Sequence, residues 1–300
     1  MKKLTMFSFL IVFVFSSGFA LGQQDFSKVQ IKTTHVAGNV YMLEGSGGNI
    51  GVSVGEDGVL MIDDQFAPLS DKIKAAIKEL GGDAPKFLLN THWHGDHTGG
   101  NEVFASQATI IAHTNVRKRL MTEQRRGERV TPPKPKEAWP VITFDQSLTV
   151  HFNNEDIKAI HYPHGHTDGD AVIYFTGSNV VHMGDNLFSG RFPFVDLASG
   201  GNVEGLIKNI EKIIAELPAD VKLIPGHGPL SNLNDLKTFH QMLVETTEIV
   251  RKQIDAGKTL AEIKSTGLPE KWQSWNWQFI STERWLEIVY NSLTKKLTQK

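Results

Sequence analysis

The ten residues Thr91-His92-Trp93-His94-Gly95-Asp96-His97-Thr98-Gly99-Gly100 constrain this chain more than any other stretch. Three histidines and an aspartate fall within six residues, directly after the apolar run Phe87-Leu88-Leu89. Imidazole and carboxylate at that density are the donors that divalent cations such as zinc take. On an extended loop, residues two apart share a face, so His92 and His94 can reach one ion, whereas on a helix they would diverge. Asp96 and His97 then turn toward a second ion, with Gly95 expected to permit the bend.

The surrounding pattern alternates short apolar runs with longer amphipathic ones, which indicates an α/β layer protein. Val59-Leu60-Met61-Ile62 is a strand ending at Asp63-Asp64, and Ser70 is expected to cap a helix carrying Ile73, Ala76, Ile77 and Leu80 on one face. Further strands are expected at residues 109–112, 148–152, 157–160, 171–175, 180–182 and 221–224. Asn202 precedes a strong amphipathic helix, residues 131–140 with their prolines suggest a surface loop, and the pattern from Leu236 onward is helical. The tryptophans 272, 275, 277 and 285 are expected to pack onto the domain, the alternative being a pocket wall.

More ligand types recur at the ends of the later strands: His166 within His164-Gly165-His166-Thr167, Asp185 after Gly184, and His227 within Pro225-Gly226-His227-Gly228. His164 is better explained as a support behind a ligand or as a plain turn residue, and His113, His151, His161 and His182 as packed or surface histidines. Asp63 is expected to support the loop by accepting the outer N–H of a ligand imidazole, with Asp168 and Asp170 available for the same task or for capping the turn.

Composition excludes several classes. There is no cysteine, hence no disulfide and no thiolate ligand. Lys2 and Lys3, the apolar run Leu4–Phe15 and the small residues of Ala20-Leu21-Gly22 read as an export signal, 1–22, cleaved after Gly22. The mature chain is then expected in the periplasm or outside the cell. Of 31 Lys and Arg against 33 Asp and Glu, only Lys2 and Lys3 fall in that leader, which leaves a mature net charge of −4. Such a balance argues against a nucleic-acid partner, and no second apolar run approaches the roughly 20 residues of a membrane span. A small-molecule substrate is the expected partner; oligomeric state is not readable.

Taken together, the T-H-x-H-x-D-H-x-G-G loop, the later H-T, the G-D and the P-G-H-G closely resemble the metallo-β-lactamase superfamily over roughly residues 35–235. The resemblance implies a four-layer αββα sandwich with the site at one edge between the sheets, here forming a single catalytic domain, 23–300, whose C-terminal part, 236–300, is a helical extension. It implies that His92, His94 and His166 hold a first metal, that Asp96, His97 and His227 hold a second, and that Asp185 bridges them. Two Zn²⁺ per chain are the expected cofactors. Counting both carboxylates and one hydroxide, the centre would carry about +1, suited to an anionic substrate or transition state.

The implied chemistry is hydrolysis of a carbonyl bond by a metal-bound hydroxide, with Asp96 as the catalytic carboxylate that orients it and passes a proton to the leaving group. A β-lactamase or β-lactamase-like amide hydrolase is the first expectation. Asp185 resembles the glyoxalase II, lactonase and thioesterase branches, which keeps a periplasmic lactonase or thioesterase open. A persulfide dioxygenase with one iron on His92, His166 and Asp185 is a further alternative, and a non-catalytic zinc-sequestering protein another. Asn202, Arg191 and Asn186 are the candidate substrate-binding residues, although Asn202 is better read as a helix cap.

Overall fold

The computed structural model describes residues 25–126 and 128–295, so the expected leader and its cleavage point lie outside the described residues. One sheet opens as an antiparallel meander of β1 (Lys32–Ala37), β2 (Val40–Glu44), β3 (Ile50–Gly55) and β4 (Gly58–Ile62). It continues in parallel through β5 (Pro85–Asn90) and β6 (Thr109–His113). A separate ribbon of β7 (Gln124–Arg126) and β8 (Arg129–Thr131) precedes β9 (Ile142–Phe144), which closes the first sheet beside β6. The second sheet runs in spatial order through β10 (Ser147–Phe152), β11 (Glu155–His161), β12 (Ala171–Phe175), β13 (Val180–Phe188), β14 (Lys222–His227) and β15 (Ser231–Asn232).

Three apolar clusters show how the layers stack. Val40, Met42, Leu60 and Leu89 of the first sheet meet Phe152, Ile157, Ile173 and Ile224 of the second, which defines the inter-sheet core. The outer face of the first sheet (Val52, Val59, Met61, Leu88) is covered by Ile73 and Ile77 of α1 (Ser70–Glu79), with Phe104. The ligand-bearing turn α2 (Gly95–Thr98) is followed by α3 (Asn101–Phe104) and α4 (Thr114–Met121). The outer face of the second sheet packs on α5 (Val203–Glu216), α6 (Leu233–Asp255) and, beyond α7 (Leu260–Thr266) and α8 (Glu270–Gln273), on α9 (Thr282–Thr294). The result is the αββα sandwich. Leu206, Ile210 and Ile213 of α5 are fully buried there, each contributing roughly 1.5–3 kcal/mol. The C-terminal helices share this cluster with α5, so they complete the outer layer of the sandwich.

Local details depart from expectation in instructive ways. Ser70 does not cap α1; it is the first helical residue, its hydroxyl accepts no capping bond, and Leu69 holds the cap position. Strand β13 does not stop at His182. It runs through Gly184 and Asp185 to Phe188, every residue buried, with its pairing to β14 shifted on both sides of Gly184. Gly184 takes a positive φ of 50° there, a bulge that a sequence reading takes for a turn. Of the tryptophans, Trp272 and Trp285 are buried in the helical layer, whereas Trp275 and Trp277 are only partly buried against it.

Candidate metal centre

The centre forms where β4, β5, β13 and β14 end on one edge of the sandwich. After β5, residues 91–94 stay non-helical, and His94 (φ −63°, ψ 150°) then caps the single helical turn α2 that carries Asp96 and His97. Gly95 is not what permits this bend: its φ is not positive, and a Cβ there would meet nothing within 4 Å. Asp185 enters from the bulge in β13, His166 from the loop between β11 and β12, and His227 is the last residue of β14.

All the expected ligands converge. His92, His94, His166 and Asp185 form one group able to hold a metal ion, and Asp96, His97 and His227 form another, with the ligand atoms of each group within 4.8 Å of one another. In the first, Nδ1 of His94 lies 3.1 Å from Nε2 of His92 and 2.8 Å from Nε2 of His166. Asp185 faces both groups. Its Oδ2 lies 3.2 Å from His166 Nε2, and its Oδ1 lies 3.1 Å from His97 Nε2 and 3.4 Å from His227 Nε2. Oδ2 of Asp96 closes the second group at 3.3 Å from His227 Nε2.

The outer nitrogens of His92, His94, His97 and His166 are occupied, which leaves their inner nitrogens for a cation. His94 Nε2–H donates to Asp196 Oδ2 (2.9 Å), His166 Nδ1–H to the Phe194 carbonyl (2.6 Å), and His97 Nδ1–H to Asp63 Oδ2 (2.7 Å). His92 Nδ1–H donates to Thr91 Oγ1, whose hydroxyl donates in turn to Asp63 Oδ2. Inside, His97 Nε2 and Asp185 Oδ1 are buried 3.1 Å apart, and neither makes a well-aligned hydrogen bond to any other group. Two orphaned buried polar atoms among converging imidazoles fit a divalent cation, as does the donor set itself.

Electrostatics divides the site. Burial, reinforced by His97, holds the His92 imidazole well below its usual range, and burial likewise lowers His94 and His166. In the second group burial is outweighed: Asp185, Asp96 and Asp63 lift His97 well above the usual range, and Asp185 with Asp96 lifts His227 to about 9. Burial is likewise outweighed at Asp185, held well below the carboxylate range by His227, His97, His166 and His92, and at Asp96, lowered by His97 and His227. Both carboxylates are therefore anions at neutral pH.

A family model, the metallo-beta-lactamase superfamily, matches residues 34–227, with every one of these ligands inside the matched stretch. The chain belongs to the metallo-β-lactamase superfamily. Within curated relatives, a hydroxyacylglutathione hydrolase of Pelagibacter ubique is 30% identical over 189 residues, covering 60% of this chain and 68% of that protein. A metallo-beta-lactamase type 2 of Bacteroides fragilis is 22% identical over 169 residues, covering 56% of this chain and 61% of that one. Among solved structures, a metallo-beta-lactamase from Pontibacter korlensis superposes with a TM-score of 0.59 at 17% identity, over 71% of this chain and 99% of that chain. A sec-alkylsulfatase from Pseudomonas superposes with a TM-score of 0.65 at 14% identity, over 88% of this chain and 50% of that chain. These structures share the metallo-β-lactamase fold with it.

Other candidates fall outside the two groups. His164 is exposed, takes a positive φ of 53° and donates from Nδ1 to the Gly200 carbonyl. Asp168 makes a bidentate pair with Arg119, and Asp170 accepts from the N–H and hydroxyl of Thr167, fixing the turn behind His166. Asn202 is spent as a helix cap, its Oδ1 accepting from Gly205 N–H, while its own N–H donates to the Gly165 carbonyl. Asn186 is 1% exposed and turned inward, so it offers no surface anchor to a substrate. Arg191 alone of the three substrate candidates stands at the rim, its guanidinium 5.2 Å over the Trp277 ring.

Sequence reasoning missed several supports. Asp196 holds His94 from a loop with no periodic signal. His182 donates from Nε2 to the Asn49 carbonyl, and Asn49 donates to the Pro225 and Gly228 carbonyls flanking His227, so a histidine expected merely to pack ties three loops together. Gly48 lies flat against the His97 ring and Gly226 against Asp185 Oδ1; a Cβ at either place would overlap them. The glycine density of Gly45-Ser46-Gly47-Gly48 was the available signal for this close backbone approach.

Proposed function

We propose that this chain is an exported hydrolase that uses two zinc ions to cleave a carbonyl bond, with a β-lactam or similar amide as the first substrate class. The observation that carries it is Asp185, whose two carboxylate oxygens each face a different ligand group. One carboxylate shared in this way, with the inner nitrogens of the flanking histidines left for cations, supports a pair of ions in preference to one. His92, His94 and His166 would hold the first ion, Asp96, His97 and His227 the second. When bound, such ions supply Lewis acidity and a water acidified toward pKa 7.

The chain's own groups then divide the work. Asp96 is ionised and 28% exposed, so its carboxylate opens to the cleft and can accept a proton at Oδ1, the oxygen not turned to the second group, and return it to a leaving group. Asp63, Asp196 and the Phe194 carbonyl keep the imidazoles in one tautomer and orientation. Arg191 offers a cation to a substrate carboxylate at the rim.

A thioester or lactone is the second reading, supported by the Asp at position 185 and by the hydroxyacylglutathione hydrolase likeness. The Lys2-Lys3 and Leu4–Phe15 pattern supports export. The test is to purify the chain, count its metals, and assay nitrocefin, acyl-homoserine lactones and thioesters side by side. About two zinc ions per chain with turnover of one class supports the proposal. One iron with oxygen uptake and no hydrolysis reverses it, and tight zinc without turnover leaves a sequestering protein. An Asp96→Ala variant that kept both its metals and its full turnover would remove the proton-carrying role.

A further inference from the structure

The rim of the metal centre on its C-terminal side is a continuous arc of aromatic rings. Phe194 stands 5.9 Å, centroid to centroid, from both His94 and His166 of the first ligand group. Phe279 follows at 5.8 Å from Phe194, and Trp277 at 5.6 Å from Phe279. Trp277 ends the arc 6.0 Å from His227 of the second group and 6.3 Å from Phe188. The arc thus runs past both metal positions, and two of its rings come from the segment between α8 and α9.

The rings are fixed in place. Trp277 Nε1–H donates to the Phe192 carbonyl (2.9 Å) and its backbone N–H to the Ile280 carbonyl, while Phe192 N–H donates to the Trp275 carbonyl. Arg284 lies 4.4 Å over the Phe279 ring and donates to the Phe279 carbonyl. Yet Phe279 is 45% exposed, and the neighbouring Ile280, fully buried, does the packing for that turn. A large apolar ring held rigidly in water beside a metal centre marks a binding surface. The second, independent observation is Arg191. It stacks on Trp277, is partly buried, and makes no ion pair among the described residues. A cation in that position suits a substrate anion. A groove of about 570 Å³ lies on the far side of Phe194, lined also by Arg284.

We propose that the Phe194–Phe279–Trp277 arc and Arg191 form the subsite that selects the substrate: an apolar, preferably aryl, group lies on the arc while a carboxylate next to it meets Arg191. The substrate class is an aryl- or alkyl-bearing anionic acyl compound. This rests on the hydrolase reading for its physiological meaning, but its binding test does not need turnover.

The test uses the metal-loaded full chain and three probes, 4-phenylbutyrate, butyrate and 4-phenyl-1-butanol, with affinities from calorimetry or ligand-observed NMR. Phenylbutyrate should bind about tenfold more tightly than butyrate, the gain expected of one stacked ring. Phe279→Ala and Trp277→Ala should each reduce that preference to about threefold or less, and Phe279→Leu should keep part of it. Arg191→Gln should weaken phenylbutyrate about tenfold and leave the neutral alcohol unchanged. Should Trp277→Ala fail to fold, the exposed Phe279→Ala still decides. The proposal is overturned if the wild-type chain shows no phenyl preference, if that preference survives in the ring variants, or if Arg191→Gln weakens acid and alcohol alike. Hydrolysis without phenyl preference would sink the subsite alone; phenyl preference without hydrolysis would sink the enzyme reading alone.

Discussion

The two ligand groups use the same side chains and differ in the charge they hold. In the first, burial outweighs the carboxylates of Asp185 and of Asp196, which pairs with His94, and it keeps the three imidazoles neutral. In the second, two imidazoles sit among Asp185, Asp96 and Asp63, and the carboxylates keep both protonated until a metal arrives. The first group is a nest of lone pairs, the second a compact ion-pair network. An ion entering the first therefore displaces no proton near neutrality, whereas an ion entering the second competes with protons on His97 and His227. Similar residue types thus give one group of neutral imidazoles near pH 7 and one of protonated imidazoles.

The largest test of this division removes what the groups share. Asp185→Asn deletes the charge facing both, so both metals should weaken by more than the roughly 10–100-fold that losing an outer partner costs. His166→Ala should instead empty the first group and spare the second. Metal content per chain, measured by mass spectrometry after dialysis, distinguishes the two patterns; retention of both ions by Asp185→Asn would break the picture of a shared carboxylate.

Acidification should separate the groups without mutation. His227 titrates near 9 in the metal-free chain, above its unfolded value of 6.5. The group with the raised pKa binds its proton more tightly when folded, so each proton displaced weakens metal by about tenfold per pH unit below 9. The first group, with lowered values, has no such dependence down to pH 6.5. Chelator competition between pH 9 and pH 6 should release one ion well before the other, and the retained ion should be lost in His166→Ala. Release of both ions in a single step would refute the unequal charge.

The supports offer a finer comparison. Asp63→Ala removes the partner of His97 and also orphans the Thr91 N–H and hydroxyl, all buried. Asp196→Ala removes the partner of His94 and of the Ser199 hydroxyl. Each should cost about 10–100-fold in affinity for its own ion. Asp63→Ala should additionally lower stability by about 1–3 kcal/mol for each buried donor left unpaired. Melting curves of the metal-free proteins isolate that second cost, and equal melting temperatures would show that Asp63 does no more than Asp196.

How much of this is readable without coordinates depends on where the information resides. The convergence of the seven candidate residues is readable because four are crowded into residues 92–97 and the other three each follow an apolar strand in the order the family motif demands. The layer order is readable because helical and strand periods alternate clearly. Asp63 is readable too, as an acceptor at the end of β4 for a ligand imidazole, but Asp196 and Asn49 are not, because they act only through long-range contacts. Asp196 meets a histidine 102 residues away, and Asn49 meets a carbonyl 176 residues away. Neither leaves a periodic trace. Strand β13 is cut short in the sequence because Gly184-Asp185 looks like a turn, although pairing with β14 carries the chain through the bulge. Trp277 looks like any packed tryptophan until the fold sets it beside His227.

The smallest expected effect concerns Gly48, and it bears on one group alone. Its backbone lies against the His97 ring, and its N–H donates to the Asp96 carbonyl at 3.2 Å. A methyl there cannot be accommodated by a flexible chain end, because His97 is fully buried and held from behind by Asp63. The ring has to shift, and with it Nε2. Gly48→Ala should therefore weaken the second ion by about tenfold, within the range of an overpacked buried contact of about 1–3 kcal/mol, and leave the first ion unaffected. If Gly48→Ala bound both ions as the wild type does, the loop would be packing beside the centre without setting the position of His97.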